Sequence, residues 1–420
     1  MTENRTLVVG TTPDYVDWLR RKNPGRLLFL SDRRLREQAQ ECPPEPGEEL
    51  LCELTQAEGC RDQLKRYLKN NPLKIDGVVC YDCEALPLAA HLAKDLDLPF
   101  ASPEAIRLCR DKHLSKSAWR QHLVSCPESR RLTSDQAAAE LLAEREQAWV
   151  FKPACGGGSE LVYLVKTQAA AKTVFREIME ALKQTENQLL FCDAQHLPTA
   201  IIAEEFIDGR EFSVDFCLEE NHLEILRLTE KIARPGDNFG TIRGYGLNPA
   251  ELSAAFDERL KTELLAAAKA LLLQRALGMA DFILKEGKPV FLEITPRPGG
   301  DCLPALLQAA GPFDILEAAL NFARSDTTVN KRPSLRPLAA LRFHAERGGL
   351  IRQIDNQTLL RDQRVLTCHL GRKVGDRVTM PPQNYDSWLL GYLIFAPRAD
   401  KDLAQQCHEL HALLKVEIEP

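Results

Sequence analysis

The stretch FLEITPRPGG at residues 291–300 places an acid and a base four residues apart. Glu293 ends an apolar run, Arg297 follows it, and the permissive backbone of Gly299 and Gly300 comes next. A strand that ends in an acid and a base beside such backbone would suit a site for a metal ion and an anion. A strand, a turn and a surface ion pair would read the same way, so this stretch alone decides nothing.

A second acid, Asp281, lies in the apolar run that precedes this stretch. The two runs predict a hairpin over Gly278–Arg297 with its turn near Glu286–Lys288. Antiparallel pairing would set Asp281 nearly opposite Glu293, and two carboxylates that close repel each other unless a cation neutralises them. Mg²⁺ does so in proteins, usually with phosphate oxygens as further ligands. The hairpin therefore predicts a magnesium site, and two unrelated surface acids are the alternative.

A glycine-rich turn follows Lys152 between two predicted strands, Ala148–Ala154 and Leu161–Lys166. Its residues are Gly156, Gly157, Gly158 and Ser159. Backbone N–H groups brought close by glycine, together with a lysine, form a nest suited to phosphate. The order strand, turn, strand differs from a Walker P-loop, whose motif the chain lacks. A flexible hairpin turn is the alternative.

Two further features are weak when each is taken alone. Lys112 follows Asp111 at the start of a predicted helix, where a lysine is usually on the surface. The letters AEEFIDGREF belong to two predicted strands over Thr199–Glu219, which flank a turn at Asp208–Gly209. An edge strand of this kind offers free backbone groups to an adenine edge, and a nearby acid can accept ribose hydroxyls.

Taken in this order and spacing, the motifs resemble the ATP-grasp superfamily, and most of all its carboxylate–amine ligase branch, over about residues 105–330. The resemblance implies that ATP phosphates contact Lys112, Lys152, Gly156, Gly157, Gly158 and Ser159. It implies that adenine and ribose are read by Glu204, Glu205, Phe206, Ile207 and Glu211. It also implies that Asp281, Glu293 and Thr295 hold Mg²⁺, or Mn²⁺, although Thr295 stands where the family usually has asparagine.

The activity implied by the resemblance is the ATP-dependent joining of a small carboxylic acid, such as an amino acid, to an amine through an acyl phosphate. Arg297, assisted by Lys152, would stabilise that acyl phosphate. Candidate substrate residues in a Gly-rich stretch at Thr229–Pro249 are Lys231, Arg234 and Arg243, which would bind carboxylates. The others are Arg297, Gly299, Gly300 and Asp301, the last for the incoming amine. A mobile surface loop is the alternative for the Gly-rich stretch. A biotin-carboxylase-like or purine-pathway carboxylase, and a nucleotide-binding regulator without turnover, remain as other functions.

Alternating strands and helices at the N-terminus predict a Rossmann-like parallel sheet, with strands at Thr6–Thr12, Arg26–Asp32 and Ile75–Asp82. The fold class we expect is α/β, in part α+β: an ATP-grasp fold between this N-terminal domain and a small C-terminal domain. The expected domains are 1–105, 106–198 with the glycine-rich loop, 199–330 with the metal and substrate site, and 331–420.

Composition limits the partners and the location. Apolar residues make up 44% and charged residues 27% of 420, and the net charge of −6 argues against a nucleic-acid partner. No apolar run reaches the roughly 20 residues of a membrane span, and the N-terminus has no signal-peptide layout. The 13 scattered cysteines suggest reduced thiols, so we expect a cytoplasmic enzyme with small-molecule partners. A homodimer is the oligomeric state that we expect. Cys80 and Cys83 form a C-x-x-C whose role the pattern leaves open.

Overall fold

A computed structural model describes residues 3–184, 189–191, 200–248, 253–325 and 332–420. The strands are β1 Glu3–Val9, β2 Leu27–Asp32, β3 Glu49–Cys52, β4 Leu73–Val79, β5 Ser129–Leu132, β6 Trp149–Pro153, β7 Tyr163–Val165, β8 Ile201–Glu205, β9 Arg210–Glu219, β10 His222–Ile232, β11 Gly244–Leu247, β12 Arg275–Lys285, β13 Lys288–Thr295, β14 Ala339–His344, β15 Gly349–Asp355, β16 Val365–Leu370, β17 Arg377–Val378, β18 Leu389–Phe395 and β19 Lys415–Glu419. The helices are α1 Pro13–Lys22, α2 Arg33–Gln38, α3 Ala57–Asn70, α4 Leu86–Asp95, α5 Pro103–Arg110, α6 Lys112–Gln121, α7 Asp135–Glu144, α8 Gln168–Gln184, α9 Ala254–Ala270, α10 Leu303–Ala310, α11 Ile315–Arg324, α12 Gln357–Leu360 and α13 Leu403–His411.

The N-terminal sheet is parallel, in the order β3-β2-β1-β4. The apolar runs at its centre are buried on both faces, as parallel strands with helices on either side require. The predicted Rossmann-like sheet is therefore confirmed. The four-residue strand β3 was not predicted, because its run of Glu49–Cys52 is too short to show a period.

The second sheet is antiparallel, in the order β5-β8-β6-β7, and its core includes residues of the helices α7 and α8. The glycine-rich turn joins β6 to β7, as predicted, and Phe151 pairs with Tyr163 across it. The turn is therefore held at both ends by paired backbone, which fixes where a ligand would meet it.

The large sheet has eight strands in the order β13-β12-β9-β10-β11-β14-β18-β16. Strands β8 and β9 flank the predicted turn at Asp208–Gly209, but they belong to different sheets, so this turn is the passage from one sheet to the other. Gly209 has φ 155°, and a Cβ there would lie 2.7 Å from the Leu284 carbonyl oxygen, which is why glycine is needed at this crossing. Strand β9 then pairs with β10 and β12.

The C-terminal residues contribute to two sheets. Strands β14, β16 and β18 extend the large sheet, whereas β17, β15 and β19 form a separate sheet of three. The large sheet therefore continues past the domain division expected at residue 331. The expected divisions at 198/199 and 330/331 themselves lie outside the described residues.

The structure also shows the state of the cysteines and the character of the helices. Every cysteine in the described part of the chain is a free thiol. Within that same part, no helix is both long and apolar enough to cross a membrane.

Candidate nucleotide and metal site

The predicted hairpin of strands β12 and β13 is present, and it pairs Asp281 directly with Glu293. Its turn consists of Glu286 and Gly287, which have φ values of 51° and 73°. Two left-handed residues are typical of a tight turn whose twist matches the strands. Because paired residues of an antiparallel ladder point to the same face, both carboxylates lie on one face of the large sheet.

Lys112 connects this hairpin to the glycine-rich turn. Asp111 caps α6 by accepting from the N–H groups of His113 and Leu114, so Lys112 is the first residue of that helix. Lys112 Nζ lies 3.2 Å from Glu293 Oε2 and donates to the Gly156 carbonyl oxygen at 3.0 Å. Residues that are far apart in the sequence therefore meet at one point.

The charges at this point shift one another's pKa. Burial alone would lower the pKa of Lys112, but the Glu293 carboxylate outweighs it and the pKa is raised. Burial likewise opposes ionisation of Glu293, yet the charge of Lys112 lowers the pKa of Glu293 to about 2. Both groups are therefore charged at neutral pH.

Lys152 lies in a second, more deeply buried cluster. Lys152 Nζ is 2.6 Å from one carboxylate oxygen of Glu204, and Lys116 Nζ is 3.1 Å from the other. Lys116 also donates to the carbonyl oxygen of Leu292, which belongs to the hairpin of β12 and β13. Burial lowers the pKa of Lys116 to about 8. Glu204, expected to read adenine, thus holds two lysines in place, and only 2% of its surface is exposed.

Lys116 was missed by the sequence analysis. It lies four residues after Lys112, and residues at this spacing share one helix face. The signal was therefore present in the letters DKHLSK.

A fourth lysine, Lys231, lies between two acids. Lys231 Nζ is 2.7 Å from Glu211 Oε1 and 2.6 Å from Asp281 Oδ2, and the pKa of Lys231 is raised by Asp281 and Glu211 against the effect of burial. Lys231 is a residue of strand β10, so the alternative of a mobile surface loop does not apply to this residue. Because Lys231 is held by Glu211 and Asp281, its expected contact with a substrate carboxylate has no support from its position.

The residues present fit a divalent cation. Asp281 Oδ1 is buried and has no hydrogen-bond partner among the described residues. Burial, together with Glu211 and Glu293, raises the pKa of Asp281 although Lys231 lowers it. Thr295 Oγ1 donates to Glu293 Oε1 at 3.0 Å, so its oxygen is beside the same carboxylate. Among the described residues, no group of three His, Cys, Asp or Glu side chains could hold a metal ion by itself. A magnesium ion here would need further ligands, such as phosphate oxygens.

The expected adenine-reading segment begins with the last two residues of strand β8 and continues into Phe206 and Ile207. The Phe206 N–H donates to the Ala148 carbonyl oxygen at 3.1 Å, and the Glu205 N–H donates to the Glu128 carbonyl oxygen at 2.9 Å. The Phe206 ring lies edge to face with Phe239, with 6.1 Å between ring centres. The roles expected of Glu205, Phe206 and Ile207 stay predictions.

Ser159, in the glycine-rich turn, has a φ of 60°. A Cβ on Gly240 would be 3.1 Å from Ser159 Cβ, so the loop of residues 233–243 packs against the glycine-rich turn. Leu161 N–H donates to the Tyr385 hydroxyl at 3.1 Å from the other side. The turn is therefore bounded by two separate parts of the chain.

Arg297 lies at the carboxyl end of the parallel sheet. Its Nε donates to Cys83 Sγ at 3.0 Å, and its Nη1 donates to the Pro298 carbonyl oxygen at 2.7 Å. Burial lowers the pKa of Arg297, but Cys83 and Asp82 raise it by more. Burial and Glu84 raise the pKa of Asp82 to about 7. Of the C-x-x-C pair, Cys83 thus borders the site, whereas Cys80 is buried.

The two glycines after Arg297 differ in their surroundings. A Cβ on Gly299 would lie 2.9 Å from Arg227 Nη2, and the Gly299 N–H donates to Asp215 Oδ1 at 2.9 Å. Arg227 and Asp215 form a fully buried ion pair with 2.5 Å between Nε and Oδ2. A Cβ on Gly300 would meet nothing nearer than 3.6 Å. Gly299 is therefore required by packing.

Asp301, expected to receive the amine, has its Oδ2 2.7 Å from Arg342 Nε. Arg342 comes from strand β14, in the C-terminal part of the chain, and was not among the expected site residues. No local pattern near Asp301 signals a partner so far along the sequence.

Arg234 and Arg243 are not brought to the acid cluster. Both donate to Asp237, with the shortest contacts at 2.7 Å and 2.6 Å. Both also line a separate cavity beside α13. The expectation that they receive the substrate carboxylate therefore has no support from their positions.

Comparison with known proteins gives the same family as the motifs. Residues 109–301 match the model of an ATP-grasp domain. The D-alanine–D-alanine ligase of Cupriavidus pinatubonensis is 28% identical over 232 residues, which are 52% of this chain and 65% of that protein. The chain thus spans less than two thirds of the curated relatives that it matches.

Solved structures show the same fold over the full length. An L-amino acid ligase from Bacillus licheniformis superposes with a TM-score of 0.76 at 19% identity, covering 100% of this chain and 99% of that one. A carboxyaminoimidazole ribonucleotide synthase from Aspergillus clavatus, complexed with ATP, gives a TM-score of 0.69 at 14% identity and 98% coverage of both chains. The resemblance is thereby confirmed for its central part: residues 109–301 match an ATP-grasp domain, and the chain shares its fold with these two solved structures.

Proposed function

We propose that the protein is an ATP-dependent carboxylate–amine ligase that acts on amino acids or similar small acids. The carboxylate of one substrate would attack the γ-phosphorus of ATP, and the bond from that phosphorus to ADP would break. The amine nitrogen would then attack the acyl carbon of the acyl phosphate, and phosphate would leave as the C–N bond forms and the amine loses a proton.

One observation carries this proposal: Lys112 touches both the Gly156 carbonyl and Glu293, while Asp281 faces Glu293 across the hairpin. Lysines and a glycine-rich turn on one side, and two acids on the other, are what a metal-bound triphosphate requires. In phosphoryl transfer the protein mainly positions groups and offsets charge.

Asp281 and Glu293, with Thr295 beside them, would hold Mg²⁺, which when bound with ATP offsets the charge of the phosphoryl group. Lys112 and Lys152 would donate to phosphate oxygens, and Glu204 fixes Lys152 for that purpose. Arg297 would donate to the acyl phosphate oxygens, since Cys83 and Pro298 orient its guanidinium. Holding both reactants in one cleft contributes about 7–11 kcal/mol in well-oriented reactions.

The amino-acid class of substrate is supported by the relatives. A protein named D-alanine–D-alanine ligase and one named L-amino acid ligase are among the most similar in sequence and in fold. The acids Asp82 and Glu84 are near enough to raise the pKa of Arg297, and in their ionised form they would offer opposite charge to the ammonium group of an amino acid. The expectations of a cytoplasmic location and a homodimer stay predictions.

The test is ADP release from the purified protein with Mg²⁺, ATP and a panel of amino acids, offered singly and in pairs. We expect ADP only when an acid and an amine are both supplied, with a matching amide product by mass spectrometry. Bicarbonate-dependent ADP release would indicate a carboxylase instead. Tight ATP binding without ADP under every condition would indicate a regulator, and either result would overturn the proposal.

A further inference from the structure

A cavity of about 310 Å³ lies between the large sheet and helix α13. Ile232 and Leu341 line it from the sheet, Arg234 and Arg243 from the loop between β10 and β11, and His408 and His411 from the helix. Its volume is at the lower end of the range of small-molecule sites. It is therefore large enough for a compact ligand.

The cavity is separate from the nucleotide and metal site. Lys231, which points to Asp281, pairs with Tyr245, whereas Ile232 pairs with Gly244. Gly244 in turn pairs with Leu341. Neighbouring residues of a strand point to opposite faces, so Ile232 and Leu341 are on the face opposite to Lys231. The sheet itself divides the two sites.

The polar groups of this cavity favour an anion. Arg243 is 6% exposed, and its Nη1 has no hydrogen-bond partner in the described part of the chain, although Nε and Nη2 donate to Asp237. His411 Nε2 is buried and likewise lacks a partner there. None of the described residues that line the cavity is an acid. A buried N–H without an acceptor is costly, and an ionised acceptor repays that cost best.

Much of the remaining lining is apolar, with the polar side chains of Gln405 and His408 beside it. Ile232 and Leu341 face Ala404 and Cys407 of the helix. A ligand that satisfies both parts has an anionic head and a short hydrocarbon body. Inorganic anions would leave the apolar walls without contacts.

The cavity also touches the loop that covers the nucleotide site. The loop of residues 233–243 begins and ends in the cavity wall, and Asp237 holds its two ends through Arg234 and Arg243. Its tip places Phe239 against Phe206 and Gly240 against Ser159. An anion in the cavity would compete with Asp237 for the guanidinium groups of Arg234 and Arg243. The resulting change in the loop would alter its packing against the glycine-rich turn.

We propose that this cavity binds a small organic anion, a carboxylate or phosphate on a short apolar body, and that its binding changes nucleotide affinity through the loop of residues 233–243. The binding part is independent of the proposed function. The coupling part rests only on the presence of a nucleotide site.

Binding is tested by calorimetry with hexanoate and phenyl phosphate, with uncharged hexanamide for comparison. We expect at least one anion to bind at least tenfold more tightly than the amide, and the better head group identifies the source. Ala404→Phe should fill the cavity mouth and abolish this binding, whereas Ala412→Phe, exposed just after the same helix, should retain it. Arg297→Ala should also retain it, which separates the cavity from the ligase site.

Arg243→Gln should weaken the anion at least tenfold without affecting the amide, with its fold checked by circular dichroism. Equal binding of anion and amide, no binding, or unchanged binding by Ala404→Phe would overturn the site. ADP titrated with and without the saturating anion tests the coupling. We expect its Kd to change at least threefold, and an unchanged Kd would remove the coupling part.

Discussion

Asp281 and Glu293 face each other on adjacent strands, yet their pKa values shift in opposite directions. Lys112 lowers the pKa of Glu293 to about 2, whereas burial and two neighbouring acids raise the pKa of Asp281 in spite of Lys231. Without a metal, these two lysines are the cations that keep the acids together. We infer that when metal and triphosphate bind, Lys112 and Lys231 leave these carboxylates and donate to phosphate oxygens instead.

Glu293→Gln should lower ADP formation at least about 100-fold, because an amide is a poor magnesium ligand and the charge against Lys112 is lost. The variant should remain folded because the amide keeps the shape of the side chain, but loss of the ion pair with Lys112 should lower the melting temperature. Steady-state ADP release measures the effect. Glu286→Gln, at the exposed turn of the same hairpin, is the control and should be fully active. Wild-type turnover by Glu293→Gln would remove the metal assignment.

Arg297→Ala should reduce kcat by about 100–1000-fold, the usual cost of losing one group that stabilises charge in the transition state. The Kd for ATP, measured by fluorescence titration, should change only a few-fold, because Arg297 lies against Cys83 and not against the lysine cluster. Equal losses in kcat and in ATP affinity would place Arg297 with the nucleotide instead.

At the scale of elements, the backbone after β13 packs against the buried ion pair of Arg227 and Asp215, which limits the residue at position 299. Gly299→Ala would push a methyl group to 2.9 Å from the Arg227 guanidinium in a fully buried ion pair. We expect a loss of about 1–3 kcal/mol in stability, the usual cost of overpacking, together with reduced turnover.

Gly300→Ala is the matched control for this substitution, since its nearest neighbour would be at 3.6 Å. It should change the urea midpoint little. If both variants were equally stable, the packing argument for Gly299 would fail.

His344, the last residue of β14, should make the stability of the protein depend on pH. It is 2% exposed, and burial, then the charge of Arg342, lowers its pKa to about 2. The ordinary histidine pKa is about 6.5, so below that pH the unfolded chain takes up a proton that the folded chain refuses. Stability is therefore lost as the pH falls from about 6.5.

His344→Gln removes this proton uptake. Between pH 6 and pH 5, the free energy of unfolding of the wild type should fall by about 1 kcal/mol more than that of His344→Gln, as one bound proton requires. Urea denaturation of both proteins at the two pH values measures this difference. Parallel pH dependence of the two proteins would show that His344 does not contribute.

At the scale of the whole molecule, the sequence predicted what is encoded locally. The hairpin of β12 and β13 and the turn after β6 follow from apolar runs bounded by glycines, so their positions and the pairing of the two acids were correct. The parallel N-terminal sheet followed from the same kind of pattern.

What could not be predicted depends on partners distant in sequence. Glu204 looks like a solvent-facing acid in a strand, and only the fold brings two lysines to it. Arg297 and Cys83 are 214 residues apart, and Asp301 meets an arginine of the C-terminal region. Local letters also failed to show that β8 and β9 enter different sheets, because a turn between two strands reads the same in either case.

The central claim is that Lys112 and Lys152 meet Asp281 and Glu293 around one metal-bound triphosphate. A crystal structure with Mg²⁺ and a non-hydrolysable ATP analogue tests it most directly. We predict Mg²⁺ at about 2.1 Å from oxygens of both acids, with the phosphates within hydrogen-bonding distance of both lysines. A nucleotide bound elsewhere, or a metal that contacts neither acid, would contradict the account.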